Sequence, residues 1–386
     1  MPRTPQVRLP PVTPLVERTL ERPGALQSRV ADPILRHLLR RYPDLVAQDP
    51  RGDAILRNQV VAINPEEAAL ALARANGFQT GPASELEALG LQVVVLNAPA
   101  GVDTFTALAR LRALDPTGSY DFNHLYSGSA ASAAPRVDAG APTQVTAPGP
   151  LRIGLIDSGV SLTHAALHGV EVHAWGCDGK PVPGAHGTAV ASLLKAGTLY
   201  SADIYCGVPT GGSATAFAAA MGWMARQPVA VVNLSLVGPD NALLRRATEA
   251  LMARGYVLVA AVGNDGPAAP AMYPAAYPGV LGVTAVDAHG RVLPEALRGV
   301  QVDFAAIGSG LRVANPGGGW LKARGTSYAA PLVAHAAAVA VAGASPGASL
   351  ADKVRSQLEK SAVDLGAPGR DDVYGFGQVA AEMNGN

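Results

Sequence analysis

The fold class follows from the stretch Arg152-Ile153-Gly154-Leu155-Ile156-Asp157-Ser158-Gly159. Its first five residues read as a strand that stops abruptly in an acid, a hydroxyl and a glycine. Further strand candidates follow at Asp203–Cys206, Val229–Leu234, Val257–Val262 and Val280–Val286. These runs are apolar with little alternation, the pattern of parallel strands buried on both faces. Helical stretches at His186–Ala196, Ala214–Arg226 and Asn241–Arg254 separate them. The expected fold class is therefore α/β, a parallel sheet flanked by helices on both faces.

Outward from that core, Ser127 to Pro150 is rich in Ala, Ser, Gly and Pro and reads as a linker. Before it lies a small α+β unit of β-α-β-β-α order. Its strands are Gln59–Ile63, a weaker one at Phe78–Leu86, and Leu91–Leu96. One helix opens at Pro65 and stops at Asn76-Gly77. A second spans Thr104–Leu114, with Phe105, Leu108, Leu111 and Leu114 on one face. The first 55 residues are rich in Pro and Arg and carry one short amphipathic helix at Asp32–Arg41. The expected domains are thus an N-terminal extension (1–55), the α+β unit (56–126), the linker (127–150) and the α/β domain (151–386).

Composition narrows the function classes. Lys plus Arg and Asp plus Glu are 30 each in 386 residues, so the net charge is zero. A general nucleic-acid binder needs a cationic surplus, and so does a polybasic membrane anchor. No apolar run reaches the roughly 18 residues of a membrane span. Pro331 to Ala344 comes nearest and carries His335. The first residues lack an apolar core, so no signal peptide is read. Cys177 and Cys206 allow one disulfide in an exported protein or two buried thiols in a cytosolic one.

In an open parallel sheet, chemistry gathers beyond the carboxyl ends of the strands. Asp157-Ser158-Gly159 follows the first strand, and Gly263-Asn264-Asp265-Gly266 follows Val257–Val262. Helices open at His186-Gly187-Thr188 and at Gly325-Thr326-Ser327. An acid, an amide, an imidazole and a hydroxyl thus all sit at element ends. Acyl transfer needs those four. A serine hydroxyl attacks only as a base takes its proton, and imidazole titrates near neutrality. A carboxylate orients the imidazole, and an amide can donate to the oxyanion.

These blocks, with Gly325-Thr326-Ser327-Tyr328-Ala329-Ala330-Pro331, resemble the subtilisin-like serine proteases. The order Asp, His, Ser is that of subtilisin. The resemblance covers about 150–386. It implies Asp157 as orienting acid, His186 as general base then acid, Ser327 as nucleophile and Asn264 as oxyanion donor. It also implies that Leu236, Val237 and Gly238 pair with substrate and that Met272 lies near the base of the specificity pocket. Tyr374-Gly375-Phe376-Gly377-Gln378-Val379 is similar to the family's C-terminal motif. The sequence departs from the family in a short interval between Asp157 and His186, in Tyr-Ala-Ala-Pro after Ser327 where Met-Ala-Ser-Pro is usual, and in Val237 where glycine is common.

The α+β unit resembles the family's inhibitory propeptide, a ferredoxin-like domain that templates folding and blocks the cleft. The expectation is a proenzyme cut after Tyr126. The alternative is a latent relative whose N-terminal domain stays in the cleft and which works by binding a partner. The implied partners are a polypeptide substrate and the chain's own propeptide domain, with no nucleic acid and no transmembrane segment. No organic cofactor is expected. Calcium is common in the family, but no dense Asp/Asn cluster carries a site over. His164, His168 and His173 are read as turn or surface residues rather than metal ligands. The family and its propeptide imply a periplasmic or secreted location, and a cytoplasmic one stays open.

Overall fold

The computed structural model describes residues 33–128, 151–208, 212–342 and 344–379. Its N-terminal unit runs α1 (Pro33–Arg41), β1 (Val46–Gln48), β2 (Ala54–Ile63), α2 (Glu67–Ala75), β3 (Gln79–Leu86), β4 (Leu91–Asn97), α3 (Thr104–Leu114) and β5 (Ser119–Gly128). The second unit begins with β6 (Arg152–Asp157), β7 (Glu171–Trp175), α4 (Ala185–Leu194), β8 (Thr198–Asp203), β9 (Gly212–Ser213) and α5 (Ala214–Met224). It continues with β10 (Val231–Leu234), β11 (Leu236–Val237), α6 (Ala242–Ala253), β12 (Val257–Ala261), β13 (Leu281–Val286) and β14 (Phe304–Ile307). A hairpin of β15 (Ser309–Ala314) and β16 (Trp320–Arg324) leads into α7 (Thr326–Ala340) and α8 (Leu350–Ser361). No helix among the described residues is long and apolar enough to cross a membrane.

The large sheet has the order β14-β13-β12-β10-β6-β8-β7, parallel throughout. The expected α/β class is what the chain forms. Alternate side chains of each strand serve opposite layers. Ile153 and Leu155 of β6 join Val190, Leu194 and Val333 from α4 and α7. Ile156 and Val232 join Phe217 and Leu244 from α5 and α6. Two buried faces remove any need for alternation, and each such side chain contributes about 1.5–3 kcal/mol on burial.

Two expectations change. The strand expected at Asp203–Cys206 lies earlier, at Thr198–Asp203. Asp203 Oδ1 accepts the N–H groups of Tyr205 (2.9 Å) and Cys206 (3.0 Å), which turns the chain and ends the strand. The edge strands β7 and β14 add to those expected from the sequence. β7, Glu171-Val-His-Ala-Trp, has a mostly exposed or half-exposed pattern and no continuous apolar run.

The N-terminal unit is βαββαβ, and its strand β2 is buried on both faces over residues 60–63. Val60 and Ala62 pack on its own helices through Leu70, Leu108 and Leu111. Val61 and Ile63, pointing the other way, pack with Phe217, Met221, Leu243 and Leu244 of the α/β domain. The sheet order β11-β5-β2-β4-β3 therefore crosses from one unit into the other. Ser127 and Gly128, expected to open the linker, are the last residues of β5. The rest of the expected linker, 129–150, lies outside the described residues, as do residues 1–32.

Candidate active site

β6 delivers Asp157 at its carboxyl end, fully buried. Its Oδ1 accepts the Ser158 N–H at 2.7 Å. Ser158 Oγ in turn accepts the Gly187 N–H at 2.9 Å, tying the strand end to the first turn of α4. His186, second residue of α4, donates from Nδ1 to Asp157 Oδ2 at 2.8 Å and Oδ1 at 2.9 Å. That tautomer leaves Nε2 as the acceptor. His186 Nε2 is buried and has no hydrogen-bond partner among the described residues.

Ser327 is the second residue of α7 and is fully buried. Its hydroxyl donates to the Ser235 carbonyl at 3.1 Å. Pro331, four residues on, has no N–H to offer the Ser327 carbonyl, so the helix leaves that acceptor open. Ser235 Oγ fills it at 2.8 Å and is itself held by Asn233 Nδ2 at 2.9 Å. Asn264 Oδ1 accepts the Thr326 N–H at 3.1 Å, and Thr326 Oγ1 accepts the Gly263 N–H at 3.2 Å. With Oδ1 so engaged, Asn264 Nδ2 is a buried donor lacking a partner among the described residues. A buried acceptor on His186 and a buried donor on Asn264, both unpaired, are costly unless a reactant completes them.

Tyr328, in the position where the family usually has Met, tilts its ring against His186 at 5.7 Å between centroids. Burial, and then the charge of Asp157, push its hydroxyl up to about 12. Met272 packs into the apolar cluster beside the site, and a β-carbon at Gly263 would come 3.5 Å from its Cγ.

A strand of the N-terminal unit lies in this cleft. β5 pairs antiparallel with β11, Gly128 opposite Leu236 and Ser127 opposite Val237. On its other side β5 pairs with β9, Tyr126 opposite Gly212 and Leu125 opposite Ser213. A β-carbon at Gly128 would lie 3.0 Å from His186 Nε2, so only glycine fits without a shift. Tyr126 does not reach the imidazole. Its ring fills a side pocket against Phe217, at 5.5 Å, and Gly238, where a β-carbon would come 2.4 Å from the ring. Its hydroxyl donates to the Pro239 carbonyl at 2.9 Å.

Two groups at the cleft were not anticipated. β9, only two residues long, was too short for any periodicity to announce. Tyr205 donates its hydroxyl to the Tyr126 carbonyl at 3.0 Å. Reading residues 203–206 as strand hid the turn that aims this ring.

Cys177 and Cys206 are joined as a disulfide. With Asp203 they form a cluster of three residues of metal-ligating kind among the described residues, but the two sulfurs are spent on each other. Calcium takes about six to eight oxygens, and this cluster offers one carboxylate. His164 accepts the Ala166 N–H on Nδ1 and meets the Gly319 carbonyl through Nε2 at 2.7 Å. His173 stacks on Tyr200.

Residues 150–377 match the model of the subtilase family. Subtilisin Savinase from Lederbergia lenta is 32% identical over 248 residues, 60% of this chain and 89% of that protein. M-protease from Shouchella clausii (strain KSM-K16) is 30% identical over 352 residues, 86% of each. Fervidolysin from Fervidobacterium pennivorans, a keratinolytic enzyme related to subtilisin, has a similar fold. Its TM-score is 0.69 at 20% identity, over 85% of this chain and 60% of that one. The chain belongs to the subtilase family and is a subtilisin-like serine peptidase.

Proposed function

We propose that this peptidase is made as a proenzyme that cuts its own chain just beyond β5 and then hydrolyses other polypeptides bound in the same cleft. The observation that carries the reading is Gly128. It is paired on Leu236 and packed on the edge of His186 as an extended substrate would be.

In the proposed chemistry, Ser327 Oγ attacks the peptide carbonyl as its proton passes to His186 Nε2. Asp157 holds the imidazole and stabilises the imidazolium. Asn264 Nδ2 and the Ser327 N–H receive the oxyanion at the start of α7, where the helix dipole also favours negative charge. The tetrahedral adduct collapses, His186 gives its proton to the leaving amine, and water then hydrolyses the acyl-enzyme by the same route. The serine hydroxyl must turn from the Ser235 carbonyl toward His186 for attack, and such bonds commonly tighten only with substrate bound.

We propose a cut beyond Tyr126, the position expected from the sequence. Gly128, the last described residue of β5, faces Leu236, the neighbour of Ser235, whose carbonyl accepts from the nucleophile. The proposed scissile bond is Ser129–Ala130. Gly128 is then the second residue on the acyl side, Ser127 the third and Tyr126 the fourth. The disulfide supports maturation in an oxidising compartment, hence a periplasmic or secreted location. The latent-relative reading has only the seated strand in its favour, which a proenzyme shares.

Intact mass of the purified chain, with a fluorophosphonate probe and Ser327→Ala alongside, tests this. A probe adduct on wild type alone, with a fragment ending at Ser129, is expected. A fragment ending at Tyr126 would overturn the register. An adduct without any cut would make the N-terminal unit a permanent part of the enzyme.

A further inference from the structure

The Tyr205 hydroxyl grips the seated strand from outside the β9–β5–β11 pairing. It donates to a backbone carbonyl, that of Tyr126, at 3.0 Å. Such a contact ignores the substrate's side chain and asks only that the chain reach that far. Tyr205 sits on a turn that the chain does not adopt cheaply. Cys206 and Cys177 both have left-handed backbones, at φ 52° and 53°. Side chains other than glycine are strained in that region. Two devices hold them. Asp203 accepts the Tyr205 and Cys206 N–H groups on Oδ1 and the Val182 N–H on Oδ2 at 2.8 Å. The disulfide ties Cys206 to Cys177, which lies in the separate turn Cys177–Gly179.

We propose that Tyr205 is a substrate-binding residue that holds the fourth residue on the acyl side by its carbonyl, and that the Cys177–Cys206 disulfide keeps it in place. This rests on reading β5 as a substrate-like strand. Burial, and then the charges of Asp157 and Asp203, push the Tyr205 hydroxyl well above its ordinary value, so it stays a donor in alkaline solution. The consequence is a dependence on substrate length that is linked to the redox state of the disulfide. Long substrates gain from the grip, and short ones never meet it.

The test uses the full chain, allowed to mature, on two chromogenic peptides with four or two residues on the acyl side. Tyr205→Phe keeps the ring and removes the donor. It is expected to raise KM for the longer peptide about five- to tenfold, the size of one hydrogen bond, with kcat held and the shorter peptide unaffected. Cys177→Ser with Cys206→Ser should do the same. Adding Tyr205→Phe to that pair should cost nothing more, because coupled residues are not additive. If the double serine variant does not accumulate, reduction and alkylation of folded wild type tests the same arm. Equal effects on both peptides, or none on either, would overturn the role of Tyr205. Additive losses would overturn the role of the disulfide. A wild-type chain that cleaves neither peptide would remove the substrate reading of β5, and this proposal with it.

Discussion

Ser235 and Ser327 are joined in both directions: Ser235 Oγ donates to the Ser327 carbonyl at 2.8 Å, and Ser327 Oγ donates to the Ser235 carbonyl at 3.1 Å. The strand that pairs with β5 therefore also positions the first turn of α7. The link exists because Pro331 cannot complete the helix at Ser327.

Ser235→Ala should orphan the buried Ser327 carbonyl and destabilise the fold by about 1–3 kcal/mol. Thermal unfolding checks this. Peptide hydrolysis should fall through kcat, because Ser327 loses its register against β11. An unchanged kcat in a destabilised variant would leave the link structural only.

Ser327→Ala should lose about 10^6-fold in kcat, the cost of removing the nucleophile in subtilisin itself. Asn264→Ala should lose about 10^2–10^3-fold, as expected for one oxyanion donor. Single-turnover kinetics on a chromogenic peptide would rank them. An Asn264 variant with raised KM and normal kcat would contradict the oxyanion role.

Gly238→Ala puts a β-carbon 2.4 Å from where the Tyr126 ring lies. The ring must move or the pocket reject it, so the variant should prefer a small residue four places before the cut. A peptide library varied at that position reads this directly. A retained aromatic preference would mean that the pocket lies elsewhere.

Acid should loosen the N-terminal unit. Burial pushes the Asp49 carboxyl up. The hydrogen bond and charge of His124 and the charge of Arg51 outweigh it, leaving Asp49 below its ordinary 3.8. A depressed carboxyl contributes stability above its unfolded value that is lost as pH falls through the folded one. Hydrogen exchange in Val60–Ile63 should therefore speed up below about pH 3.8. Asp49→Asn should be the less stable chain at pH 6 and match wild type at pH 2. The reverse pattern would show that Asp49 is held by something other than its cations.

Much of the α/β domain was legible because its central strands are buried on both faces and announce themselves as apolar runs. The edges were not: β7 is half in water and β9 has two residues. Residues 203–206 read as strand because a turn stabilised by Asp203 looks, letter by letter, like the end of one.

Local signals along the chain set which residues stand at the strand and helix ends. Asp157, His186, Asn264 and Ser327 sit there because glycine, proline and helix starts are local signals. What meets them depends on long-range pairing. Strand register is set by pairing partners far apart in the chain, and a slip of one residue exchanges the two faces of a strand. Gly128 came to His186, Tyr126 to a side pocket and Tyr205 to the Tyr126 carbonyl through such pairings, and no local stretch of sequence encodes them.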